Sequence, residues 1–127
     1  MSAPARGGKG SRESLGLRRL AGALMLASTV THLSEPFVFP FSLPLVVATL
    51  YGLSFLCIGI FLFRDGTRVL WWGAVLPLSA AFLGTANAIL EGYMHPLTRW
   101  HLFVDLVVGP ICIYLLRRRR TGEGLGA

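Results

Sequence analysis

From Leu43 to Phe63 and again from Val69 to Leu90 the chain holds no charged residue. Each run is about 21 residues, and at about 1.5 Å per residue a helix of that length spans roughly 30 Å, the hydrocarbon thickness of a bilayer. Inside lipid no water can hydrogen-bond the backbone, so such a run must bond to itself as a helix. These two segments therefore limit the chain to a helical membrane architecture.

The remaining sequence extends the pattern. Leu17–Leu33 is apolar behind Arg18 and Arg19, and Trp100–Leu116 is apolar apart from His101 and Asp105. Of 127 residues, 54% are hydrophobic, more than a soluble domain this small could bury. The sequence predicts an all-α membrane protein, an antiparallel bundle of four transmembrane helices. The expected spans are about 17–34, 43–63, 69–90 and 100–116, within a domain over 17–118. Residues 1–16 read as a disordered basic tail and 119–127 as a flexible one. Leu20–Val30 behind a basic flank also resembles a signal-peptide core, but an A-x-A cleavage pattern is lacking, so the first run is read as a retained span.

Charge gives the expected orientation. Eleven of the twelve Lys and Arg residues flank one side of a four-span arrangement, and only Arg99 falls on the other. The positive-inside rule then places both termini in the cytoplasm, at a cell membrane. Trp71, Trp72 and Tyr114 would lie near the inner interface, and Tyr93 and Trp100 near the outer one. Arg117, Arg118, Arg119 and Arg120 would meet anionic headgroups. The net charge of +6 does not signal nucleic-acid binding, because the basic residues sit in short flanks of apolar runs.

Small residues suggest packing faces. Ala23 with Ala27, and Ala80, Gly84 and Ala88, recur every four residues and would let backbones approach. Pro77 and Gly109–Pro110 are expected kinks. The first outer loop, Glu35–Pro44, alternates Pro and Phe and reads as extended. Cys57 and Cys112 lie in apolar runs and read as small buried side chains.

Chemistry concentrates at the outer side, where all three histidines map. His32 and Glu35 are three apart, Glu91 and His95 four apart, and His101 and Asp105 four apart. On a helix these spacings share a face. Asp105 falls roughly 7 Å inside the interface by helical rise, where a carboxylate should face the bundle and find a partner among His101, Arg99, Asn87 and His32. The candidate cluster is His32, Glu35, Asn87, Glu91, His95, Arg99, His101 and Asp105. Its plainest role is a hydrogen-bond network tying helix ends together. A metal site would use His32, His95, His101 and Asp105. A bis-histidine haem would pair His32 with His101 or His95. A proton or solute path is a further alternative, although the inner half has no matching ionisable chain. No cofactor is required by any motif: nucleophile elbow, phosphate loop and CxxC pair are all missing.

Thr31–His32–Leu33, Tyr51–Gly52–Leu53 with Gly59, and Asp105 followed by a basic end resemble small four-helix prokaryotic membrane proteins of the DoxX-like class. The resemblance covers about Leu17–Arg118. It implies a four-helix bundle, and some members of that class are accessory subunits of oxidoreductases. No catalytic residue carries over, because none is matched. The expected function is a structural or accessory subunit of a membrane complex, with a protein partner or a second copy of itself. The alternative is a carrier, or a metal- or proton-handling protein, working through the outer cluster.

Overall fold

The computed structural model describes residues 8–122. They form four helices and no strand: α1 (Gly8–Ser34), α2 (Leu43–Leu62), α3 (Arg68–Glu91) and α4 (Pro96–Arg120). Helices α2, α3 and α4 are long and apolar enough to cross a membrane. Their outward faces carry large apolar groups such as Leu50, Phe61, Trp72, Phe82, Leu90 and Leu106, as lipid contact demands. The expected second and third spans match α2 and α3 to within a residue or so at each end.

Helix α1 departs from expectation. It is already helical over 8–16, where the sequence predicts a disordered tail, and residues 1–7 lie outside those described. Composition did not forbid this helix, since an established turn propagates far more easily than a new one nucleates. Helix α4 is also longer than its apolar run. It starts at Pro96, a residue suited to a first helical turn, and continues through Arg120. Arg119 and Arg120, expected in a flexible tail, are therefore helical, and 123–127 fall outside the described residues.

The core is built from Met25 on α1, Phe55, Ile58 and Leu62 on α2, Leu70 on α3, and Val104, Val108 and Cys112 on α4. Helix α1 packs along α2 and α3 along α4, whereas α2 and α3 meet over a short stretch. Ala23 and Ala27 are exposed, contrary to expectation; the inward face of α1 is Ala21, Gly22, Met25 and Ser28. Helices α1 and α2 approach backbone to backbone at a pair of glycines. A Cβ on Gly22 would stand 3.1 Å from the Gly59 carbonyl oxygen, and one on Gly59 would stand 3.3 Å from that of Gly22. On α3, Ala81 and Ala88 are buried and Ala80 and Gly84 half-buried, so that stripe does face its neighbours. Helices α3 and α4 continue through Pro77 and Pro110. Cys57 is exposed and Cys112 buried, both as free thiols.

Two ends of the bundle differ in chemistry. At one, Arg18 of α1 reaches the close of α2. Its Nε donates to the Leu62 carbonyl (3.2 Å), its Nη1 to Gly66 (3.0 Å) and its Nη2 to Arg64. The last carbonyls of a helix have no intrahelical partner, so a buried guanidinium (6% exposed) here completes α2. In the sequence Arg18 stands out only as a basic residue at the entrance of the first apolar run. Arg119 of α4 joins the same end, donating to Thr67 (2.8 Å) and to Asp65. That contact holds the Asp65 carboxyl below its ordinary range. Arg118 packs over Tyr114 and Arg120 over Trp71. Hence three of the four arginines expected at headgroups also bind within the protein, and Arg117 is exposed.

Candidate functional site

The opposite end is set by the turn after α1. Pro36 permits a single 3₁₀ turn, Glu35–Phe37, where the sequence predicts an extended loop. The Glu35 carbonyl accepts the N–H groups of Val38 (3.0 Å) and Phe39 (2.9 Å). This closes the turn and leaves the Glu35 side chain buried (residue 8% exposed) beside His32 and His101.

Three elements thus supply one cluster. Glu35 Oε1 stands 3.6 Å from His32 Nδ1 and 3.3 Å from His101 Nδ1. The two imidazoles stack at 3.7 Å between centroids and 18° between planes. Phe55 presents its ring edge-on to His32 at 5.6 Å. Gly52 makes room for the histidine, because a Cβ there would lie 2.7 Å from that of His32. One donor atom from each of His32, Glu35 and His101 can be chosen so that all lie within 4.8 Å of one another.

Proton positions follow from the neighbours. The Thr31 hydroxyl donates its only hydrogen to the Ser28 carbonyl (2.8 Å). It must therefore accept at its other contact, 2.7 Å from His101 Nε2, so Nε2 carries the ring hydrogen. In the neutral ring Nδ1 is then a bare lone pair, and it faces a carboxylate oxygen. Two acceptors at that distance repel unless a proton or a cation lies between them. Neither ring nitrogen of His32 has a hydrogen-bond partner among the described residues, although both are buried. Burial pushes the Glu35 carboxyl up to about 7.

That shift fixes a pH dependence for the metal-free protein. Glu35 binds its proton more tightly when folded than when unfolded. Its contribution to stability is complete below about 4.5 and is lost as pH rises through about 7. Thermal denaturation of the parent and of Glu35→Gln in detergent with EDTA should show the parent's stability relative to the variant falling across that window, by up to roughly 3 kcal/mol. A difference between the two that does not change with pH would contradict the assignment.

The other expected partners are arranged differently. Gly92 takes a left-handed conformation (φ 68°) and ends α3, so Glu91 and His95 no longer share a helix. Glu91 is exposed. His95 instead caps α4, its Nδ1 accepting the Leu97 N–H (3.2 Å), and it meets the edge of Phe39. Neither His95 nor Asp105 joins the three-residue donor group, where the sequence reading had placed both. Arg99 is exposed, and Asn87 is half-buried. Asp105 does face the interior (1% exposed), but its Oδ1 has no hydrogen-bond partner among the described residues. The expected bond from His101 or Arg99 to that oxygen is not made: His101 commits its Nε2 to Thr31, and Arg99 points outward. His32, Glu35, Asn87, Glu91, His95, His101 and Asp105 nevertheless all line one cavity of about 550 Å³.

No family model, no curated protein and no solved structure matches this chain.

Proposed function

We propose that this is a four-span integral membrane protein that binds a divalent first-row transition-metal ion, with Zn²⁺ as the reference case, through His32, Glu35 and His101. The reading is carried by the lone pair of His101 Nδ1 set against the Glu35 carboxylate at 3.3 Å. Ligand atoms about 2.0–2.1 Å from a tetrahedral ion stand roughly 3.3 Å from one another, so both Glu35–histidine separations match a shared cation in length, and the two stacked rings would have to turn to aim their lone pairs at it. The unpartnered nitrogens of buried His32 supply the third donor. The Thr31 hydroxyl holds the far nitrogen of His101, the kind of outer contact that orients a metal-ligating imidazole. Three protein ligands leave a coordination position open, and the cavity lies beside it. Of the sequence expectations, the metal-handling alternative is favoured over a purely structural subunit.

The spanning arrangement belongs to the same proposal. Four helices running up and down, with both termini in the cytoplasm, would place the cluster at the outer face. Supporting this, Arg18, the loop carrying Arg64 and the basic end of α4 meet at one end of the bundle. The positive-inside rule assigns such an end to the cytoplasm. Elemental analysis tests the metal reading. Protein purified without a polyhistidine tag, loaded with zinc chloride and desalted, should retain about one ion per chain. Retention below a tenth of an ion would overturn it.

A further inference from the structure

The cavity beside the cluster has a chemistry of its own. Three of the carboxylates in a chain that has six, Glu35, Glu91 and Asp105, line it, and among the described residues no Lys or Arg does. In a protein of net charge +6 this is a local inversion of sign. Most of the remaining lining is apolar, contributed by residues such as Leu43, Val47 and Leu83. Asp105 is buried with an oxygen left without a partner among the described residues, a costly arrangement that a bound donor would relieve. About 550 Å³ falls within the range of small-molecule sites.

We infer that this cavity binds an amphiphilic organic cation, an alkyl ammonium compound, with its head group on Asp105 and its hydrocarbon tail along the apolar wall. An ammonium offers three donors and no acceptor, which suits a pocket whose carboxylates are acceptors and whose described lining has histidines but no lysine or arginine. An anionic head would meet like charge. A neutral alcohol would satisfy Asp105 but gain nothing from Glu35 and Glu91. Helices α2 and α3 both line the cavity, and they pack less against each other than against α1 and α4 respectively. Asp105 lies outside the metal donor group, so the inference stands apart from the metal reading.

The test uses the full chain in nanodiscs with EDTA at pH 7.5 and calorimetric titration against empty nanodiscs. The probes are decylamine, decanol and decanoate. Decylamine should bind at about one per chain, and at least about tenfold more tightly than either of the others. Asp105→Asn should bring decylamine down to the level of decanol while leaving decanol unchanged. Ala48→Phe, which narrows the cavity from its α2 wall and keeps all three carboxylates, should abolish decylamine binding and serves should the first variant fail to fold. Equal affinity for decylamine and decanol, a preference for decanoate, or full amine binding by a folded Asp105→Asn protein would overturn the proposal. Because EDTA removes any metal, failure here leaves the zinc experiment unaffected, and the reverse holds as well.

Discussion

Replacing His101 with alanine is expected to weaken zinc binding by more than about 100-fold. Loss of an outer-sphere contact alone typically costs 10–100-fold in affinity, and loss of a ligand must exceed that. Glu35→Gln should act similarly, because an amide brings no negative charge to the ion. Gly52→Ala offers a finer probe. Its new Cβ would meet that of His32 at 2.7 Å, so the imidazole must shift while every donor remains. An outer-sphere loss of about 10–100-fold is expected there. His95→Ala should change affinity less than about threefold, because that ring caps α4 and is not among the three donors. Competition against a chromophoric zinc chelator reads all four variants. If His101→Ala binds zinc like the parent, or His95→Ala loses as much as His101→Ala, the ligand assignment is wrong.

The contrast between those two histidines shows what a sequence can convey about such a site. Depth along a helix is legible, because hydropathy fixes where each span lies. On that basis His32, His101 and Asp105 are assigned to one end of the bundle, and all three line the same cavity. Spacing is legible only while one helix persists. Glu91 and His95 are four apart, yet the left-handed Gly92 between them directs the two to separate tasks. The glycine was visible, but its conformation was not. Glu35 was paired with His32 by spacing alone. Its second histidine, His101, comes from a helix 66 positions further along and depends on the 3₁₀ turn at Pro36. Faces are the weakest inference. Ala23 and Ala27 read as a packing stripe, whereas α1 turns Gly22 and Met25 inward. In an apolar helix every face is hydrophobic, so periodicity carries little information about which one is buried.

Arg18 shows the same limit most plainly, and its removal should have the largest effect on stability. Arg18→Leu is expected to destabilise the protein by roughly 3–5 kcal/mol, because several charge-assisted hydrogen bonds, each worth about 1.5–3 kcal/mol before allowance for partial exposure, are lost at once. The leucine could fill much of the space, but the carbonyls of Leu62, Arg64 and Gly66 would lose their donors together. These groups end α2 and begin the loop to α3, so the loss is felt in how α1 and α2 join as well as in one bond. Arg18→Lys should recover less than half of the deficit. A lysine ammonium keeps the charge against the α2 dipole but lacks the planar fork that reaches several carbonyls at once. Arg19→Leu is the matched control: its side chain is exposed, and a change within about 0.5 kcal/mol is expected. Thermal or denaturant unfolding in mild detergent measures all three variants. A small, equal loss for Arg18→Leu and Arg19→Leu would mean that Arg18 serves only as a flanking charge. A large loss confined to Arg18, partly restored by lysine, would mean that a side chain from the first helix supplies the cap that the second lacks.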